Sequence, residues 1–154
     1  MSEDYIKIIA TNKKARHNYL IESEYEAGMV LVGTEVKAIR EGRVSFQDAY
    51  ADIKRGEVFL RQLHISPYKY AHNDNHEALR TRKLLLHRYE IKRLIGKIRE
   101  KGYTLVPLQI YFKKDKIKVL IGLGKGKKLY DKRDAIKQKD MRRDLDRERK
   151  KHSN

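Results

Sequence analysis

Between Asn12 and Tyr19 the chain reads Asn-Lys-Lys-Ala-Arg-His-Asn-Tyr, which sets three cations, an imidazole and a phenol within eight residues. Lys13, Lys14 and Arg16 are suited to phosphate oxygens, while His17 and Tyr19 offer rings that stack on or hydrogen-bond to unpaired bases. A second cationic segment, Arg80-Thr81-Arg82-Lys83, runs into Leu84-Leu85-Leu86-His87. Composition makes these leucines core and sets Arg82 and Lys83 at its charged entrance. A third segment, Gly124 to Arg133, places Lys127, Lys128, Lys132 and Arg133 around Tyr130 and Asp131, a cationic strip suited to RNA.

Catalytic chemistry finds less support. His72 and His76, with Asn73 and Asp74 between them, sit in a polar stretch that reads as an ordinary loop and not as a metal cluster. The run Gly122-x-Gly124-x-Gly126-Lys127 is followed by Lys128, where a phosphate-binding loop needs Ser or Thr. These glycines are expected to release the chain from its last strand. The absence of cysteine excludes disulfides, thiolate metal sites and a cysteine nucleophile. No nucleophile, metal cluster or cofactor motif stands out, so a non-enzymatic protein without a cofactor is expected.

The balance of 37 Lys+Arg against 21 Asp+Glu, a net charge of +16, points to a polyanionic partner. No apolar run approaches the roughly 20 residues that a membrane span requires. The acidic start Met1-Ser2-Glu3-Asp4 does not resemble a signal peptide, so a cytoplasmic protein is expected, with no membrane partner. Charge also divides the chain. Residues 125–154 hold 13 Lys/Arg and six Asp/Glu, with few apolar positions, among them Ile136, Met141 and Leu145. So little apolar surface cannot offset the entropy of ordering. This basic tail is expected to be disordered when free and helical on a partner.

Residues 1–124 read mainly as strands. Tyr5–Ala10 and Arg16–Glu24 are short β-rich runs separated by the polar Thr11 to Lys14. Asp48–Lys54 and Glu57–Ile65 flank the turn signal Arg55-Gly56, and Tyr103–Lys113 and Lys116–Leu123 flank Lys114-Asp115. Ile117, Val119, Ile121 and Leu123 alternate cleanly, and Pro107 calls for an edge or a bulge. Thr34–Glu41 and His87–Lys101 read as helices, the second with a stripe of Ile91, Leu94, Ile95 and Ile98 opposite Lys92, Arg93 and Lys97. Hairpins with two or three helices fit a mainly β fold, a small antiparallel OB-like barrel followed by the basic tail.

Five segments in this order carry a resemblance: Asn12 to Tyr19, Gly33-Thr34-Glu35-Val36-Lys37, Ile65-Ser66-Pro67-Tyr68, Arg82 to His87 and Gly126 to Arg133. Together they resemble the SsrA-binding protein (small protein B) family, nearly end to end. The resemblance implies an OB-type barrel that grips the tRNA-like domain of transfer-messenger RNA and rescues stalled ribosomes by trans-translation. It also implies that the tail reaches the decoding centre and the empty mRNA channel, against small-subunit RNA. By motif, Asn12, Lys13, Arg16 and His17 fall on an RNA-facing loop, with Lys14 and Asn18 at variable polar positions. Glu26 and Leu85 match further positions of the RNA surface, and Tyr130 falls where a residue can stack on a small-subunit base. The expected RNA-binding set is therefore Asn12, Lys13, Lys14, Arg16, His17, Tyr19, Glu26, Arg82, Lys83 and Leu85. The expected ribosome-binding set in the tail is Lys127, Lys128, Tyr130, Asp131, Lys132, Arg133, Ile136 and Met141. A general ribosomal or OB-type translation factor, and an RNA-modifying or RNA-cleaving enzyme on the same barrel, are the competing readings.

Overall fold

The computed structural model describes residues 5–71, 74–100 and 102–127. Two hairpins anchor it. Strands β4 (Tyr50–Lys54) and β5 (Glu57–Arg61) turn through Arg55 and Gly56, at φ of 55° and 74°. Strands β8 (Tyr103–Lys113) and β9 (Lys116–Gly126) turn through Lys114 and Asp115, at φ of 49° and 64°. Left-handed conformation at both central residues matches the right-handed twist of the flanking strands.

Around these hairpins run β1 (Ile6–Thr11), β2 (Tyr19–Met29) and β7 (Arg82–Leu85). The hydrogen-bonded order is β1-β8-β4-β5-β7-β2-β9, and β9 pairs back onto β8. Six antiparallel strands thus close into an OB-like barrel among the described residues, and β1 extends one edge of β8. Two short strands, β3 (Val44–Ser45) and β6 (His64–Ile65), pair separately. The sequence pattern had merged β6 with β5, but Gln62 at φ 62° breaks the strand between them.

Period-two patterning fills the barrel. Val58 and Leu60 of β5 and Val119 and Ile121 of β9 are fully buried, and β8 adds Leu105 and Ile110 from either side of its register shift between Pro107 and Gln109. Helix α2 (Gly33–Arg40) adds Ala38 and Ile39, and α3 (Arg88–Ile98) adds Leu94. Gly42 and Gly102, at φ of 75° and 92°, lie beyond these two helices, where glycine carries left-handed backbone without strain.

Three sequence expectations change. Residues 13–18 form a short helix, α1 (Lys13–Asn18), so the strand expected from Arg16 begins at Tyr19. Strand β9 runs through Gly126, so Gly122 and Gly124 do not release the chain. They admit close packing: a Cβ at Gly124 would lie 2.5 Å from the Leu20 carbonyl oxygen, and one at Gly122 would lie 2.8 Å from Leu108 Cδ1. Leu84, Leu85 and Leu86 are not all core either, because β7 alternates, with Leu84 buried and Leu85 54% exposed.

Candidate nucleic-acid interface

Helix α1 is too short to be stable alone, and its neighbours hold it. Pro107 forms the expected irregularity, with the β8–β9 register shifting between Pro107 and Gln109. That bulge aims two carbonyls at Asn12: Asn12 Nδ2 donates to the Pro107 oxygen at 2.8 Å and the Asn12 amide donates to the Leu108 oxygen at 2.8 Å. Asn12 Oδ1 in turn accepts from the Ala15 amide at 3.3 Å, which caps the helix. Ala15 is buried against Val106 and Leu108, with Tyr19 and Ile21 packed alongside. With that one small face seated on the barrel, Lys13, Lys14, Arg16 and His17 are exposed. Asn12 therefore positions the cations as well as standing beside them.

Tyr19 is half-buried and lines a polar groove of about 450 Å³ with Asn12, Lys14, Asn18 and Tyr50. Arg16 Nη2 donates to Glu24 Oε1 at 2.5 Å, with both side chains well exposed. Such a surface pair is weak, and phosphate can compete for Arg16.

Farther along β2, Glu26 points outward. Its Oε2 accepts from the Tyr111 hydroxyl at 2.5 Å, and Lys113 Nζ stands 3.3 Å from its Oε1. Burial raises the carboxyl's pKa, but the Tyr111 and Lys113 hydrogen bonds outweigh it and hold Glu26 below the ordinary value of 4.5. Glu26 is thus a fixed anion with acceptor capacity left toward solvent. Burial and the Glu26 carboxylate together push the Tyr111 phenol up. Gly28, two residues on, pairs with Leu85 of β7 and with Lys118 of β9. A Cβ there would stand 3.5 Å from Leu85 Cβ and 3.7 Å from Lys118 Nζ. A shallow groove of about 310 Å³ passes between Leu85, Lys118 and Val36. Tyr111, Lys113 and Lys118 escaped the sequence reading, because it is the pairing of Tyr111 with Lys118, past the β8 bulge, that turns all three to one side.

Lys83 is exposed, with its Nζ 3.1 Å from Glu57 Oε1. Arg82 requires a correction, because its side chain is 0% exposed and cannot reach RNA. Its Nε donates to Glu35 Oε2 at 2.6 Å, and Nη1 donates to the Leu63 carbonyl at 2.5 Å. Glu35 Oε1 also accepts from Arg80 Nη2 at 2.5 Å and from the Val32 amide at 2.9 Å. Arg82 thus ties β7 to the start of α2. His76, from the loop with two histidines, donates through Nε2 to the Ile65 carbonyl at 2.8 Å. Its Nδ1 faces Thr34 Oγ1 at 2.8 Å, so both ring nitrogens are used. No group of three or more His, Cys, Asp or Glu able to hold a metal occurs among the described residues. No described helix is long and apolar enough to cross a membrane. Lys127 is the last described residue and is half-buried. Lys128, Tyr130, Asp131, Lys132, Arg133, Ile136 and Met141 lie outside the described residues, as do His72 and Asn73.

A closed antiparallel barrel with a cationic helix and an outward polar stripe has the architecture of OB-like nucleic-acid-binding proteins. Residues 9–151 match the family model of the SmpB protein, and the chain belongs to that family. It is 59% identical to the SsrA-binding protein of Bacillus velezensis over 141 residues, covering 92% of this chain and 90% of that one. It is 58% identical to the SsrA-binding protein of Syntrophobacter fumaroxidans over 144 residues, covering 94% and 89%. A chain of a solved structure described as "tmRNA-SmpB: a journey to the center of the bacterial ribosome" is 48% identical, with a TM-score of 0.65 over 76% of this chain and 82% of that one.

Proposed function

We propose that this chain binds the tRNA-like domain of transfer-messenger RNA (SsrA RNA) and delivers it to stalled ribosomes for trans-translation. The observation that carries this reading is the face built by α1, β2 and β9, within a chain 59% identical to an SsrA-binding protein. Lys13, Lys14 and Arg16 hold phosphates, and His17 and Tyr19 offer rings to unpaired bases. Lys83 extends the cationic surface, while Leu85 supplies an apolar contact beside Lys118. Glu26 accepts from a base amino group, which supplies specificity that cations alone lack. Lys127, Lys128, Tyr130, Asp131, Lys132, Arg133, Ile136 and Met141 engage small-subunit RNA at the decoding centre and mRNA channel. The protein acts in the cytoplasm as a binding partner, without catalysis of its own.

Affinity for the isolated tRNA-like domain tests this reading. About four phosphate contacts should make log K fall against log salt with a slope near −3 to −4. Glu26→Ala should weaken binding roughly 5- to 100-fold, the range for one good base contact. Removing an anion from a basic protein predicts tighter binding on charge alone. Equal or improved affinity, with melting unchanged, would remove Glu26 from the interface, and a slope near zero would remove the phosphate contacts.

A further inference from the structure

We infer that Tyr103 is a positioning residue for the tail: with Glu22 and Lys97 it clamps the Lys125 side chain, and so fixes where and in which direction the chain leaves the barrel. This rests on the role of the tail proposed above. Strand β9 ends in Gly124-Lys125-Gly126, so Lys125 supplies the only side chain in its last three residues. Lys125 pairs with Leu20 of β2 on one side and with Tyr103 of β8 on the other. Gly126 pairs with Tyr19 of β2, while β8 begins only at Tyr103, after Gly102 turns the chain at φ 92°. Lys125 is thus the last β9 position held between two strands. Glycine loses the most backbone freedom on ordering, so a strand end of this composition frays unless a side chain fastens it.

Side chains from β2, α3, β8 and β9 meet at that position. Lys125 Nζ lies 4.7 Å from the centre of the Tyr103 ring, and Lys97 Nζ, from the last turn of α3, lies 5.6 Å from it. Two ammonium groups at one ring repel each other, and Glu22 offsets that charge, with its Oε1 3.5 Å from Lys97 Nζ. Glu22 is the extra residue of a bulge, since the β2–β9 register shifts between Ile21 and Ser23. A bulge re-aims a side chain, and this one turns the carboxylate to Lys97 and to the Tyr103 hydroxyl. The Tyr103 hydroxyl, with Lys97 and Lys125, outweighs burial and holds Glu22 below 4.5. Glu22 and burial in turn push the Tyr103 phenol up to about 12. The ring is therefore fixed from β2 and α3, and Lys125 lies against it. Alternation along β2 sets Leu20, in this row, opposite to Tyr19, which packs beneath α1. The clamp thus stands apart from the cations of α1.

Freeing Lys125 and Gly126 lengthens the tether by up to ~3.5 Å per residue and widens the directions open to the tail, which lowers its effective concentration at its target. Tyr103→Leu keeps an apolar side chain but removes the ring and hydroxyl. It should leave the affinity of the full-length chain for the isolated tRNA-like domain within about threefold. At saturating complex it should slow peptidyl transfer to alanyl transfer-messenger RNA on stalled ribosomes by roughly fivefold or more. Tyr103→Phe, which keeps the ring against Lys125, should lose less than about twofold. Backbone order parameters at Lys125 and Gly126 should fall from about 0.85 toward about 0.6 in Tyr103→Leu, and stay unchanged at Ile121 and Leu123. Lys125→Met, at an exposed side chain, should match Tyr103→Leu, and the double variant should lose no more than either single one. Losses that multiply would show Lys125 acting independently of Tyr103 and would overturn the clamp. Full transfer by either single variant would overturn it as well, while leaving the primary function standing. Failure of the unaltered chain to bind the tRNA-like domain would overturn the primary function instead, and normal transfer by a chain ending at Gly126 would remove the tail role on which the clamp rests.

Discussion

A chain ending at Gly126 should bind the isolated tRNA-like domain within about tenfold of the full protein, yet support almost no peptidyl transfer to alanyl transfer-messenger RNA on a stalled ribosome. The first half follows from where the proposed interface lies. Helix α1 is held by Asn12 on the Pro107–Leu108 bulge, Glu26 by Tyr111 and Lys113, and Leu85 packs beside Gly28. None of these contacts involves a residue beyond 126, and β9 remains complete. The second half follows from reach and charge. Residues 127–154 supply 12 Lys/Arg, together with Ile136, Met141 and Leu145 spaced by five and four. A helix of the 19 residues 132–150, formed against ribosomal RNA, would extend roughly 28 Å at ~1.5 Å per residue. It would enter a channel only where mRNA leaves room. Ile136→Asp/Met141→Asp should therefore act like truncation: RNA affinity is kept while transfer is lost. Normal transfer by the shortened chain would leave the tail without a role in the reaction.

Replacing Glu35 by alanine should be the most damaging single change to the barrel. The carboxylate is fully buried and accepts from Arg80, Arg82 and the Val32 amide. Removing it strands the Arg82 guanidinium, itself 0% exposed, without a counter-charge. Breaking a buried pair from one side typically costs about 3–5 kcal/mol, which for a domain of this size lowers melting by roughly 10–20 °C. Glu35→Ala/Arg82→Met, which removes both charges, should recover part of the loss. Acid has a related effect. Burial raises the Glu35 carboxyl's pKa, but Arg80, the Val32 amide and Arg82 outweigh that and hold it below 4.5 in the folded state. Its contribution is then complete above the unfolded-state value near 4.5 and fades as pH falls through the lower folded value. Glu35→Gln should accordingly flatten the loss of stability below pH 4.5. Melting of Glu35→Ala within 2 °C of the unaltered chain would show that the pair does not hold β7 to α2.

The strands that could be read in advance were those with one wet and one dry face. Ile117, Val119, Ile121 and Leu123 announce β9, and Arg55-Gly56 and Lys114-Asp115 announce their hairpins, because positive φ at two successive positions demands turn chemistry. Helix α1 gave no such signal. Its buried face is Ala15 alone, and its cap depends on carbonyls some 95 residues away at the β8 bulge. Strand β7 was hidden by three consecutive leucines, since its alternation appears only when Arg82 is counted as an inward residue. That burial depends on Glu35, 47 positions upstream, which no local pattern reveals. The candidate site divides the same way. Lys13, Lys14, Arg16 and His17 could be assigned from their own chemistry, and the structure leaves all four exposed. Glu26 and Leu85 came from family resemblance alone, because an acid and a leucine carry no intrinsic sign of an RNA surface. Their neighbours Tyr111, Lys113 and Lys118 needed the three-dimensional register of β8 and β9.

The most direct test of the central claim is to sequence the RNA that remains on the full-length protein purified from bacterial cells at moderate salt. The proposed α1–β2–β9 interface, in which cations give affinity and Glu26 discrimination, predicts one dominant species, transfer-messenger RNA, depleted when Arg16 and His17 are both alanine. A broad spread of ribosomal and transfer RNAs, insensitive to that substitution, would contradict it.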